Sequence, residues 1–178
     1  AKRGLSNLKN TVDAIKVLKN KNLTSALTDL GIFTDLEINS RYEILLDSYS
    51  KTIQVEASTA LHMAKNQIFP ACLSYYDKIL NTFKTAKELR LPFSFIYSEV
   101  SVLGDLLSNM KKAMDKLENS INEAREVKND CLEAATIWKD KVLTSMNELR
   151  QIVDTLENKV DEKAWPMPTY IDLLFGIK

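Results

Sequence analysis

Glycine and proline occur four times each in 178 residues, and histidine once. Loop-rich and all-β folds need both turn formers in quantity, so their scarcity disfavours those classes. A single histidine, His62, excludes a histidine cluster for zinc. The only cysteines, Cys72 and Cys131, fall on different predicted helices with no CxxC spacing. They read as two reduced, buried thiols in a cytoplasmic protein, not as a disulfide framework. No sign of charge is in excess: 24 Lys and Arg face 24 Asp and Glu. That argues against nucleic acid as a partner, because phosphate binding wants surplus Lys and Arg on one face. No apolar run approaches the roughly 20 residues that span a bilayer. The opening "AKRGLSNLKN" has no apolar h-region, so it does not read as a signal peptide.

What is present is helix. A hydrophobic fraction of 45% is enough for one real core. Two short helices are expected within residues 1–33. Asn10 or Thr11 can cap the first, Asn22 the second, and Gly31 can close the second with a positive φ. Thr34 followed by Glu37 spells a capping box. Glu37–Arg41 and Asp47–Lys51 are acid-first i,i+4 pairs. Tyr42, Leu45, Leu46, Tyr49, Ile53, Ala57, Leu61, Ala64 and Ile68 recur at steps of three and four, predicting one long helix over about 35–68. Pro70 lacks an N–H and disfavours αR at Phe69, so a sharp kink or a restart is expected there. A further helix should end near Arg90, with Pro92 in the turn after it. The next runs from "FSFIYSEV" to about Val127, with Leu103, Leu106, Leu107, Met110, Met114, Leu117, Ile121 and Ala124 at near-heptad spacing. Gly104 inside it should mark a close helix contact. Asp130 and Glu133 resemble a second capping box. The last helix carries Ala135, Trp138, Val142, Met146, Leu149, Val153, Leu156 and Val160 and should end near Glu162. "PFSFIYSEV" is the best strand candidate, and it is short. The fold class is therefore all-α: an antiparallel bundle of long helices, with two short N-terminal helices and a proline-containing C-terminal tail.

Reactive chemistry is sparse. No phosphate-binding loop, dinucleotide fingerprint or calcium loop occurs. The carboxylates fall on solvent faces among lysines, and Met110, Met114, Met146 and Trp138 fall on apolar stripes. His62 reads as an ordinary helical histidine. The tail stands apart. "WPMPTYIDLLF" holds Trp165, Pro166, Pro168, Tyr170, Leu173, Leu174 and Phe175, with Thr169 as a possible cap. The prolines stiffen the path, and the aromatic and aliphatic residues are docking types. The expectation is that the tail folds back and clamps its own bundle. Trp165 would sit beside the last helix, and Leu173, Leu174 and Phe175 would fill an apolar groove. Docking on a neighbouring domain or subunit is the alternative.

Three blocks, "AKRGLSNLKNTVDA", "NSRYEILLDSYSKTIQVEASTALHMAKNQIFPA" and "KAWPMPTYIDLLF", taken together and in this order, resemble the C-terminal region of type III glutamine synthetases. Gln54-Val55 and Asn39 depart from the usual residues of that pattern without disturbing the helical period. The resemblance covers essentially the whole chain. It implies a single helical C-terminal module over 1–178: a lead-in at 1–33 from a catalytic domain that would lie upstream, a long-helix bundle at 34–162 and a docking tail at 163–178. It further implies a parent that joins glutamate and ammonia with ATP and a divalent metal (Mg or Mn). The parent would assemble as a homo-oligomeric ring, so the module's partners would be the catalytic domain of the same chain and neighbouring subunits, with no nucleic acid and no membrane. No residue here matches the family's metal or nucleotide motifs. No catalytic, cofactor-binding or metal residue is therefore assigned, and the fragment alone is not expected to be an enzyme. An autonomous helical-bundle adaptor is the competing reading, and a lipid-binding bundle a third that the mixed-charge faces disfavour.

Overall fold

A computed structural model describes residues 6–127, 129–168 and 170–176, with the backbone alone at Leu23, Tyr170 and Ile171. Every regular element among the described residues is helical, and "FSFIYSEV" lies in a helix, not a strand. The elements are α1 (Thr11–Lys16), a 3-10 turn (Val17–Lys19), α2 (Lys21–Asp29), α3 (Asp35–Met63), a π segment (Ala64–Ile68) and α4 (Phe69–Glu88). Then come α5 (Ser94–Glu126), α6 (Cys131–Ile137), a second π segment (Trp138–Val142), α7 (Leu143–Glu157) and α8 (Tyr170–Phe175).

Side-chain caps start the helices where the sequence places them, with one shift. Asn10 caps α1 by accepting the Asp13 N–H at 2.8 Å. Asn20, not Asn22, caps α2, accepting the Asn22 N–H at 3.1 Å. At α3 the capping box is complete. The Thr34 N–H and hydroxyl donate to the Glu37 carboxylate at 2.7 and 2.9 Å, and the Glu37 N–H donates to Thr34 Oγ1 at 3.2 Å. Asp130 caps α6 by accepting from the N–H groups of Leu132 and Glu133. Asp47 and Lys51 pair at 2.7 Å, whereas Arg41 lies over the Phe33 ring at 4.6 Å.

Two helices end in the same way with different residues. After α2, the Ile32 N–H reaches the Leu27 carbonyl at 2.9 Å and the Gly31 N–H reaches Thr28 at 3.0 Å. This is a Schellman motif with Gly31 at φ 67°. After α4, the Leu91 N–H reaches Ala86 at 3.0 Å and the Arg90 N–H reaches Lys87 at 3.2 Å. Here the left-handed position is held by Arg90, at φ 54°. An L-residue carries a steric penalty there that glycine does not.

Pro70 does not break its helix. Phe69 stays in αR at φ −59° and ψ −46°, and its N–H reaches back five residues to the Ala64 carbonyl. The wider π turn removes the conflict that a proline ring creates in an α-helix, so the expected kink or restart becomes one local bulge. The second π segment has no proline. There the Leu143 N–H bonds to the Trp138 carbonyl around a buried indole. The last long helix stops at Glu157, short of the expected Glu162.

The chain divides into two compact units. One comprises Ala1–Ala57 and Ser120–Thr144. Val12, Ile15, Tyr42, Leu46 and Ala135 form a core there, with Leu18, Tyr49 and Leu132 packed against it. Lys19 lies over the Tyr42 ring at 4.6 Å and donates to Asn39 at 2.9 Å, tying the short helices to α3. The Lys141–Glu123 ion pair joins the second π segment to α5 in this unit. Leu45, expected in the core, is exposed.

The other unit comprises Ser58–Asn119 and Ser145–Lys178. Its interior includes Ala64, Ile68, Cys72, Leu103, Leu107, Met110, Met114, Leu117, Leu149 and Leu156. Three ion pairs join neighbouring stretches of chain here: Lys65–Glu118 at 2.7 Å, Lys116–Glu148 at 2.6 Å and Lys159–Glu99 at 3.5 Å. Going from Lys116 back to Glu99 along α5 runs from Glu148 forward to Lys159, so α5 and the chain through α7 to Lys159 are antiparallel within this unit. Gly104 makes the expected close contact: a Cβ there would lie 3.0 Å from the Tyr76 hydroxyl oxygen. Phe83 meets Phe93 edge-on at 5.4 Å and Tyr97 at 6.0 Å beside the α4–α5 turn.

Thr34→Ala should lower folding stability by about 1 kcal/mol in urea unfolding. The Thr34 N–H first, then its hydroxyl, hold the Glu37 carboxyl below its ordinary value of 4.5. A depressed carboxylate stabilises above that ordinary value and loses its effect as pH falls through the lowered one. Thr34→Ala removes the hydroxyl but keeps the backbone N–H. The gap to wild type should therefore be largest at neutral pH and narrow on acidification without closing, because the Glu37 N–H bond to Thr34 Oγ1 does not titrate; a gap that widens on acidification would reject the box. Arg90→Gly should raise the urea midpoint, gaining about 0.5–1 kcal/mol by relieving the left-handed strain. An unchanged or lower midpoint would show that the Arg90 side chain makes good the difference.

Candidate functional site

The tail is built from a turn at Asp161. The Asp161 carbonyl accepts from Ala164 at 2.8 Å and from Trp165 at 3.0 Å, while its side chain accepts the Lys163 N–H at 2.9 Å. These bonds turn the chain after α7 and bring Trp165 inward. Trp165 is 8% exposed. Its indole Nε1 is buried without a hydrogen-bond partner. Pro166 and Pro168 are exposed, and Met167 between them is half-buried.

Met167 is the tail residue that sequence reasoning missed. It lines an apolar groove of about 370 Å³ with Ala60, Met63, Ile68, Met146 and Val153. Its position between the two prolines was the available signal: a stiff path fixes where the intervening side chain goes.

The rest of the tail departs from the clamp that the sequence suggests. Leu173, Leu174 and Phe175 on α8 are 71%, 71% and 69% exposed. They fill no groove in this structure. A helix of six residues cannot bury three large side chains unless a wall stands on that side, and here none does. Thr169 and the Tyr170 side chain lie outside the described residues. Of the seven expected docking residues, the structure thus seats Trp165 and leaves the two prolines and the three α8 side chains outward.

Among the described residues, no three His, Cys, Asp or Glu side chains gather as a metal-ligand set. His62 is exposed and shares a 2.9 Å hydrogen bond with Asn66. No helix among them is long and apolar enough to cross a membrane. Cys72 is buried, and burial pushes its thiol up to about 11. Cys131 is exposed, contrary to the expectation of two buried thiols, because it opens α6 on the solvent side of its Asp130 cap. A thiol reagent near neutral pH should modify Cys131 in the folded chain and reach Cys72 only on unfolding. Rapid reaction of both would show that Cys72 is not sealed.

Comparison by sequence finds relatives of this chain. A family model described as glutamine synthetase C-terminal domain matches residues 1–87. Over its full length the chain is 35% identical to a glutamine synthetase of Butyrivibrio fibrisolvens, covering 26% of that protein. It is 28% identical over 97% of its length to the type-3 glutamine synthetase of Dictyostelium discoideum, covering 24% of it. A glutamine synthetase of Bacteroides fragilis is 27% identical over 98% of the chain, which covers 25% of that protein. The chain thus spans about a quarter of the length of the curated relatives it matches. Matched over residues 1–87 by the family model and along its whole length by these relatives, the chain is similar to the C-terminal region of glutamine synthetases.

Proposed function

We propose that this chain is a non-catalytic helical module of a larger glutamine synthetase and that its role is structural. The parent would join glutamate and ammonia at the expense of ATP, with a divalent metal, Mg or Mn. The ligands for both would come from the three quarters of the relatives' length that this chain does not span. The module's partners would be the catalytic part of its own parent chain and neighbouring subunits of a homo-oligomeric ring, in the cytoplasm.

The observation that carries this reading is where apolar side chains remain in water. In one unit Leu30, Ile32 and Leu36 are exposed around the turn between α2 and α3. In the other, Leu89, Leu91, Phe95 and Tyr97 are exposed around the turn between α4 and α5. A hollow there is lined by Ala86, Leu89, Leu91, Pro92, Phe95 and Ile96. Single exposed apolar residues are ordinary, but clusters at helix ends are surfaces meant to be covered.

Two measurements test this. Calorimetric titration of the chain with ATP and magnesium should give no saturable heat; micromolar binding would overturn the non-catalytic reading. In the full-length parent, Phe95→Lys should shift the assembly toward smaller species in size-exclusion chromatography. The same change in the isolated chain should leave its helical circular dichroism intact. An unaltered oligomer would remove the α4–α5 tip from the assembly surface.

A further inference from the structure

The groove that Met167 enters is only partly filled. Met63 and Ile68 form one wall, and Met146, Leu149 and Val153 the other. Met167 on its rim makes the empty part continuous with a contact the tail has already formed. Three residues later α8 begins, and it holds three large apolar side chains in water. The anchor preceding them is itself incompletely satisfied, since Trp165 Nε1 is buried with no acceptor. A buried donor without a partner destabilises the arrangement that contains it. Within a single unit, then, an unfilled apolar groove, unburied apolar side chains and an unpaired donor lie along one short stretch of chain.

We infer that α8 is a strap that closes into this groove, seating Leu173, Leu174 and Phe175 against its methionine-rich walls. The tether selects the occupant. Leu173 follows Met167 by six residues, a reach of at most about 20 Å. A segment held that close meets the groove at an effective concentration in the millimolar range, which a free partner rarely matches. The walls suit such an occupant, because methionine side chains are flexible enough to repack around aliphatic and aromatic groups alike. Charge does not oppose entry. Arg150 and Asp154 at the rim approach each other at 3.7 Å, and Asp172 is the one charged residue of α8. The open arrangement offers the α8 face to a neighbour, and the closed one withdraws it.

Engineered cysteines test the strap in a chain whose exposed Cys131 is replaced by serine. With Val153→Cys and Leu174→Cys together, mild oxidation should link the two within one chain at a rate independent of protein concentration. Disulfide-linked dimers whose yield rises with concentration would overturn the proposal in favour of a second copy in the groove. With Leu174→Cys alone, thiol labelling should be about tenfold slower than in the same chain carrying Met146→Glu, which makes the groove hostile to α8. Val153→Asp, on the same wall, replaces Met146→Glu if circular dichroism shows that variant unfolded. Equal labelling with the groove intact and altered would mean that α8 stays open, and would overturn the strap.

Discussion

The apolar stripe of α5 is the seam on which everything else depends. Leu103, Leu107, Met110, Met114, Leu117, Ile121 and Ala124 step by four and three without interruption, and each is buried. A stripe this narrow buries itself only against helices running nearly alongside it, and that requirement fixes the neighbours' directions. The first five positions belong to the interior of one unit and the last two to the other. Chemistry that needs a concave, polar pocket has little room in such a design. Of nine ion pairs among the described residues, four join segments distant in sequence and five lie within one stretch of helix.

Most of this was legible in the sequence, because helix periodicity is a local property. The Thr34–Glu37 box, the Asp130 cap and the Gly31 turn each follow from a few neighbouring residues, and each is found. The π segments were not legible. Pro70 announced a disturbance, but Phe69 remained helical because one extra residue per turn absorbs the proline ring. Around Trp138 the apolar positions Trp138, Val142 and Met146 step by four twice. Tyr49, Ile53, Ala57 and Leu61 do so three times with no π turn, so the pattern alone does not identify one. Cys131 was misplaced because a residue at the first position of a helix can face either way.

The tail shows the same limit more sharply. Its composition says that these side chains prefer to be out of water, and says nothing of which surface receives them. Trp165 goes inward because the Asp161 turn dictates it within a few residues. Leu173, Leu174 and Phe175 depend on a partner surface remote in sequence or absent from it, and they remain outside. Local rules end where the chain must find something it does not itself supply. The surplus of apolar surface at the turns and on α8 belongs to that same category, and it is where a family relationship carries more information than any periodicity.

The contact between Gly104 and Tyr76 has a consequence for alignment. A heptad stripe resembles itself after every seven residues, so the stripe alone does not tell α4 where along α5 to stop. The missing methyl group at Gly104 gives the Tyr76 phenol a notch with room at one place. Sliding by one repeat would bring Tyr97 or Lys111 to that spot, and neither leaves space for the ring. A residue that weakens the helix it sits in thereby gives two otherwise repetitive surfaces a single registration mark.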